Sequence, residues 1–323
     1  MKRIAVFTSG GDSPGMNACI RAVVRTAIYH GVEVYGIRRG YNGLIKGELF
    51  KMESSSVSNT IQKGGTILKS ARSLDFMAPE GRRLAFEQLQ KYEIEGIVAI
   101  GGNGTFTGAT LFYEEYGVPI VGAPGTIDND LYGTDFTIGY DTAVNTALDA
   151  IDKIRDTADS HERVFFVEVM GRDSGYIAMP CAIGGGAEIV LIPETKTTIP
   201  DVISTLQNGW SRSKTSFIIV VAEGDEEGNA TEIAARVKEA IPQMDARVSI
   251  LGHIQRGGSP TASDRLLASQ IGIACVEGLL NGKKDVMAGF VNNRLVYTPF
   301  KDTITKKKII NQRFVRMVEI LSV

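Results

Sequence analysis

Residues 4–29 read IAVFTSGGDSPGMNACIRAVVRTAIY, and this stretch decides the fold. A short apolar, β-rich run over 4–8 enters the loop Ser9-Gly10-Gly11-Asp12-Ser13-Pro14-Gly15, and apolar residues at helical spacing follow over 16–29. Strand, glycine loop and helix in that order open a βαβ unit. A loop so placed offers backbone N–H groups and the positive end of a helix dipole to an anion. Glycine loops also open α/β domains that bind nothing there, so the loop alone leaves both readings standing.

The same grammar recurs downstream. Residues 95–100 form a second buried apolar run that leads into Gly101-Gly102-Asn103-Gly104-Thr105, with a helix expected from about Phe106. Two such loops in one parallel sheet converge at the carboxyl ends of their strands, where open α/β sheets take phosphate-bearing ligands. A third apolar run, 118–122, leads into Pro124-Gly125-Thr126-Ile127-Asp128-Asn129-Asp130. Here Pro and Gly exclude regular helix, and two carboxylates stand two residues apart on one side of the chain. Such a pair can take a proton or hold a cation, although an Asx turn would use the same residues.

Further strands are expected at 32–37, 164–169, 188–192, 217–222 and 247–251, and helices at 80–92, 142–155, 200–210, 231–241 and 261–280. That alternation exceeds one ordinary sheet, so the expectation is two doubly wound α/β domains with a ligand site between them. The 323 residues, 43% of them hydrophobic, suffice for two cores. Thirty-five basic against 37 acidic residues leave a net charge of −2, which excludes a global electrostatic footprint for nucleic acid. Cys19, Cys181 and Cys275 lie far apart without metal spacing, as expected of buried thiols in a reducing, cytoplasmic setting. No apolar run approaches the roughly 18 residues of a membrane span, and no signal-type segment follows Met1, so neither membrane anchoring nor secretion is expected.

Seven segments in fixed order, TSGGDSPGMN (8–17), GGTILKSAR (64–72), PGTIDND (124–130), DKIRDTADSHER (152–163), MGRDSG (170–175), VAEG (221–224) and LGHIQRGGSP (251–260), give the chain its resemblance to the bacterial ATP-dependent 6-phosphofructokinases. The resemblance runs from the first strand to about Pro299. It implies two Rossmann-like doubly wound α/β domains with the active site in the cleft between them. Residues 1–138 plus 252–304 would bind ATP, and 139–251 plus 305–323 the sugar phosphate. The implied reaction phosphorylates fructose 6-phosphate at its 1-hydroxyl, with Mg²⁺, in a cytoplasmic homotetramer that has active and effector sites at subunit interfaces.

Carried over position by position, the resemblance makes Asp128 the base, with Thr126 and Asp130 beside it, and puts Arg72 and Arg172 near the transferring phosphoryl group. Arg163, Arg247, His253 and Arg256 would hold the sugar 6-phosphate, and Met170, Gly171 and Glu223 the sugar ring. Gly11, Tyr41, Arg72, Ser73, Gly102, Asn103, Gly104 and Thr105 would form the nucleotide site, with Asn103 and Asp130 toward the metal. Arg21, Arg25, Arg155, Glu188, Arg212 and Lys214 match an effector site for a nucleoside diphosphate or phosphoenolpyruvate. Pyrophosphate-using members carry Asp and Lys where this chain has Gly104 and Gly125, so ATP is the expected donor.

Three positions depart from the family pattern. Asn103 replaces the Asp associated with magnesium, which is expected to weaken metal dependence or turnover and leaves a catalytically weakened, ligand-binding paralogue as an alternative. Ser54 and Ser216 stand where arginine and histidine are frequent, so a blunted or altered effector response is expected.

Overall fold

The computed structural model describes residues 1–321, and among them eleven strands form two sheets. In chain order they are β1 (Arg3–Thr8), β2 (Glu33–Ile37), β3 (Leu49–Met52), β4 (Gly96–Gly101), β5 (Ile120–Pro124), β6 (Val164–Val169), β7 (Ile189–Leu191), β8 (Phe217–Ala222), β9 (Ala246–Ile250), β10 (Val286–Val291) and β11 (Arg294–Pro299). The seven-stranded sheet has the order β11-β10-β5-β4-β1-β2-β3, and the four-stranded sheet the order β7-β8-β6-β9.

The chain separates into two compact units. One holds 1–127, 131–142 and 256–308, and the other 128–130, 143–255 and the described residues from Ile309 onward. The seams lie four residues beyond the expected breaks at 138 and 251, and Asp128–Asp130 groups with the second unit rather than the first. The helix Tyr140–His161 begins in the first unit and continues in the second.

In the first unit the central strands read as apolar runs because both their faces are covered. Alternation along β1 sends Ile4 and Val6 into one core layer and Ala5 and Phe7 into the other, and β4 divides Val98 and Ile100 from Ile97 and Ala99 in the same way. The helix Met16–Tyr29 closes the first of these layers with Met16, Ile20, Val23, Val24 and Ala27, the i, i+4, i+7 stripe of a buried helix face. Pairing is parallel from β2 through β10, and antiparallel edges, β3 and β11, finish both sides.

The second unit is a four-stranded, wholly parallel sheet. Val164, Phe166, Phe217, Ile219 and Val221 of its two central strands build one core with the helices Ile199–Ser211 and Ala230–Ala240. Its edge strand β9 leaves Arg247, Val248 and Ile250 exposed. All three cysteines are free and buried, and burial pushes the thiols of Cys19 and Cys181 up to about 12. Among the described residues no helix is long and apolar enough to cross a membrane.

The sequence reading and the structure differ at several ends. The helix expected from Phe106 spans Asn103–Tyr116, because the glycine loop ends in a helical turn rather than before it. The run expected at 118–122 pairs at 120–124, so Pro124 is the last strand residue. Strands β3, β10 and β11 and the helices Gly40–Lys46, Ala178–Gly184 and Gln312–Leu321 are additions to the sequence reading.

Candidate active site

In the first unit the strand order reverses between β1 and β4, so the loops after these two strands leave the sheet on either side of its switch point. They lie against each other: Ser9 N–H donates to Ile100 O at 3.0 Å, and Thr105 Oγ1 donates to Ser9 O at 3.3 Å. The segment 64–73 joins them through Asn17, which is buried. Asn17 Nδ2 donates to the carbonyls of Lys63 (3.0 Å) and Gly64 (3.1 Å), and its Oδ1 accepts Ile67 N–H at 2.8 Å. Ser70 Oγ adds a bond to Gly10 O at 2.5 Å, and Thr8 Oγ1 one to Lys69 O at 2.9 Å. The three segments assigned to a nucleotide, around Gly11, around Arg72 and Ser73, and over Gly102–Thr105, are thereby gathered at one end of one sheet.

Within that group Gly102 caps the helix Asn103–Tyr116, which turns the helix's N-terminus into a donor of amide dipoles. Asn103 is its first residue and Gly104 is exposed, with nothing within 4 Å of a Cβ built there. Gly125 is the opposite case, since a Cβ would meet Ile100 Cγ2 at 2.9 Å and Met16 Cε at 3.1 Å. Thr126 belongs to the same unit, and its carbonyl accepts Thr137 Oγ1 at 2.6 Å.

Tyr41 corrects one expectation. Its ring is 4% exposed and stacks on Phe76 at a centroid distance of 3.9 Å, while its hydroxyl donates to Thr105 O at 2.7 Å. It braces the first turn of the helix from within the core, with no face turned to a ligand. Arg72 is exposed, and among the described residues no hydrogen bond or ion pair holds its guanidinium; Ser73 Oγ accepts Phe76 N–H at 3.4 Å. Arg256, assigned to the sugar phosphate, lies here over the first glycine loop, with Nη1 donating to Asp12 O at 3.3 Å.

The second unit carries the acidic pair. Asp128 is 2% exposed at its side chain, and its Oδ2 lies 3.2 Å from Nε of Arg172, whose own side chain is 53% exposed. A buried carboxylate is thus held against a guanidinium that reaches solvent. Both neighbouring backbones are unusual, since Asn129 and Arg172 each have φ of 52°. Left-handed backbone at a residue bearing a Cβ costs on the order of 1–2 kcal/mol, and persists where the surroundings over-determine it. Glu223, at the end of β8, supplies part of that constraint, its Oε1 accepting Arg172 N–H at 2.8 Å. Glu223 N–H in turn donates to Val169 O at 3.0 Å, which fixes the ends of β6 and β8 side by side.

Met170 is buried beside them, and its N–H donates to Oε1 of Gln255 at 3.4 Å. Gln255 is fully buried and also donates from Nε2 to Gly252 O at 3.1 Å, so it supports the turn that leaves His253 exposed. Glu194 is a further support, both of whose oxygens accept Gly175 N–H at 3.0 Å. Burial, then the carboxylates of Glu194 and Asp130, push the neighbouring Tyr176 phenol up to about 12. Neither Gln255 nor Glu194 was among the residues singled out from sequence, although Gln255 sits inside the quoted LGHIQRGGSP segment.

Arg163 and Arg247 converge on one carboxylate. Arg163 Nε lies 2.7 Å from one Asp245 oxygen and Arg247 Nη1 2.7 Å from the other. The hydrogen bond from Arg163, followed by the charges of Arg247 and others, holds the Asp245 carboxyl below its ordinary range. Four of the effector assignments lie in this same unit. Glu188 is 5% exposed, accepts Ile218 N–H at 2.6 Å and is ion-paired with Lys214. Arg155 donates to Gly185 O at 3.1 Å and Arg212 to Asn208 O at 3.2 Å. Arg21 and Arg25 lie on the helix Met16–Tyr29 of the first unit, where burial and then the like charge of Arg25 lower the Arg21 pKa.

Among the described residues no group of three or more His, Cys, Asp or Glu side chains gathers as a metal cage. The two residues that the resemblance assigns to a metal lie apart in this division, Asn103 in the first unit and the partly exposed Asp130 in the second.

Comparison with known proteins identifies the family. The phosphofructokinase family model matches residues 3–279. A protein of Cytophaga hutchinsonii named ATP-dependent 6-phosphofructokinase is 65% identical over 322 residues, covering 100% of this chain and 98% of its own. Another, ATP-dependent 6-phosphofructokinase 1 of Thermus thermophilus, is 56% identical and covered in full on both sides. Among solved structures, phosphofructokinase from Saccharomyces cerevisiae superposes with a TM-score of 0.90 at 35% identity, and this chain spans 48% of that longer one. A pyrophosphate-dependent phosphofructokinase from Marinobacter aquaeolei shares the fold, with a TM-score of 0.85 at 23% identity over 100% of this chain and 92% of that one.

Proposed function

The chain belongs to the phosphofructokinase family, and from that premise we propose that it transfers the γ-phosphoryl group of ATP to the 1-hydroxyl of fructose 6-phosphate. The products are fructose 1,6-bisphosphate and ADP. The observation that carries this reading is the buried Asp128 carboxylate at 3.2 Å from the Arg172 guanidinium. An alcohol must lose its proton as its oxygen attacks phosphorus, and a carboxylate within hydrogen-bond reach serves as the acceptor. Arg172, and Arg72 by the family pattern, would neutralise charge on the equatorial phosphoryl oxygens while the bond to ADP breaks.

The nucleotide's phosphates would be taken by the amides of the glycine loop after β1 and by the N-terminus of the helix Asn103–Tyr116. Thr126 and Asp130 would flank the sugar hydroxyl, and Met170, Gly171 and Glu223 the sugar ring. His253, Arg256, Arg163 and Arg247 would hold its 6-phosphate, Arg163 and Arg247 by exchanging Asp245 for the stronger dianion. Mg²⁺, accompanied by Asp130 and the Asn103 carbonyl, would supply charge neutralisation on the phosphates.

ATP rather than pyrophosphate is the proposed donor. A lysine at 125 would have to displace Ile100 or Met16, whereas the open space at Gly104 leaves room for the rest of a nucleotide. A homotetramer, cytoplasmic, with an effector site built from Arg21, Arg25, Arg155, Glu188, Arg212 and Lys214, belongs to the same proposal. The support for an assembly is the exposed edge strand β9, and for the effector site the presence of four of these residues in one unit.

A coupled assay on the purified protein tests the reading. ADP and fructose 1,6-bisphosphate should form in equal amounts from ATP and fructose 6-phosphate, and pyrophosphate should not replace ATP. Absence of phosphate transfer to fructose 6-phosphate, or turnover with pyrophosphate alone, would contradict it.

A further inference from the structure

The turn that carries Arg172 is closed by one buried hydroxyl. Ser174 is 6% exposed, and its N–H donates to Gly171 O at 3.1 Å, which makes 171–174 a hydrogen-bonded turn with the left-handed Arg172 at its second position. Its Oγ lies 2.9 Å from Gly171 O and 3.2 Å from Asp128 O. Both partners are carbonyl oxygens, which only accept, so the single hydroxyl proton is shared between them or alternates. The next amide, Gly175 N–H, is held by both Glu194 oxygens, and the Arg172 amide by Glu223. The Arg172 and Gly175 amides are thus each held by a carboxylate, and the Ser174 hydroxyl ties the turn to the backbone of Asp128.

We infer that Ser174 is a positioning residue for the Asp128–Arg172 pair: its hydroxyl sets the separation of proton acceptor and guanidinium by joining the Asp128 carbonyl to the Gly171 carbonyl. It touches neither reacting atom. The left-handed backbones of Asn129 and Arg172 would relax toward ordinary conformations without such a tie, and that relaxation would carry the Arg172 side chain away from the carboxylate. The inference rests on the reading of Asp128 as the proton acceptor.

Two substitutions separate a hydrogen-bonding role from packing. Ser174→Ala removes the donor together with its volume, and Ser174→Cys fills the space with a somewhat larger thiol that is only a weak donor. Both should lower kcat about tenfold or more, the scale at which misplaced catalytic groups lose rate, with the KM for ATP within about twofold of the unaltered protein. In an Asp128→Asn background the same two changes should have no further effect on the residual rate, because the pair they position is already broken. Hydrogen exchange at the amides of 172–175 should quicken by about tenfold in both variants. Wild-type kcat in Ser174→Cys, an undiminished loss in the Asp128→Asn background, or unchanged exchange would each overturn the inference. Should the unaltered protein transfer no phosphate to fructose 6-phosphate, the functional reading falls, and the exchange rates still decide whether Ser174 holds the turn.

Discussion

At the scale of single residues, the side chains that bear the proposed chemistry were legible because loop segments name them directly. Asp128 and Arg172 stand in the short segments PGTIDND and MGRDSG, and the structure brings their side chains to 3.2 Å. Their supports were not legible, because a residue that holds a backbone amide has no characteristic neighbour in sequence. Glu194 and Gln255 illustrate this, reaching Gly175 and Met170 across 19 and 85 positions. Tyr41 shows the converse: an aromatic beside a glycine turn reads equally as ligand platform or core, and only its burial against Phe76 decides. Asn103 is where the residue scale makes its sharpest prediction. An amide carbonyl in place of a carboxylate weakens attraction for a hard cation, so Asn103→Asp should raise turnover or shift half-maximal activity to about threefold or more lower magnesium. Superimposable magnesium curves for the two proteins would remove Asn103 from any role near the metal.

Elements were legible wherever periodicity was strong. The strand β1 and the helix Met16–Tyr29 follow the ends read from sequence to within a residue, since each has a continuous apolar signal bounded by Gly or a charged residue. The β10–β11 hairpin escaped that reading although its turn carries a signal. Val291 pairs with Arg294 around Asn292 and Asn293, whose φ values of 49° and 60° are those of a type I′ turn, a conformation Asn tolerates. Helix-to-helix fastening offers a test at this scale. Arg82, on the helix Pro79–Lys91, is 4% exposed and forks onto Glu115 of the helix Asn103–Tyr116 at 2.7 and 2.6 Å. Its remaining nitrogen donates to the carbonyls of Phe76 (3.0 Å) and Met77 (2.8 Å), so every nitrogen of the buried guanidinium has a partner. The hydrogen bond from Arg82 lowers the Glu115 pKa below its ordinary range. A carboxylate depressed in the folded state contributes stability above its unfolded pKa, about 4.3, and loses it as pH falls through the folded value. Glu115→Gln should therefore destabilise the protein by about 2 kcal/mol at pH 7, discounted from a fully buried pair because Glu115 is one-third exposed, and should flatten the loss of stability below about pH 5. Denaturant unfolding across that range would show it; parallel pH profiles for the two proteins would contradict it.

At the scale of the whole molecule, the alternation of strand and helix predicted two α/β domains, and the chain separates into two compact units. What composition could not supply was the membership of Asp128–Asp130, which follow a strand of the first unit yet group with the second. Assembly is a property of this scale too. The exposed β9 edge and the proposed subunit contacts predict a single species of four 34.9 kDa chains in sedimentation velocity, and a monomer at micromolar concentration would dispose of the tetramer. The claim on which the account turns is that a buried carboxylate receives the sugar's proton. The most direct measurement is the steady-state rate of ATP-dependent fructose 6-phosphate phosphorylation in Asp128→Asn, beside a check that the variant unfolds at the same temperature as the unaltered protein. General-base removal predicts a kcat lower by at least about 100-fold, with the KM values for both substrates changed only a few-fold. A folded Asp128→Asn protein that keeps kcat within about threefold would contradict it.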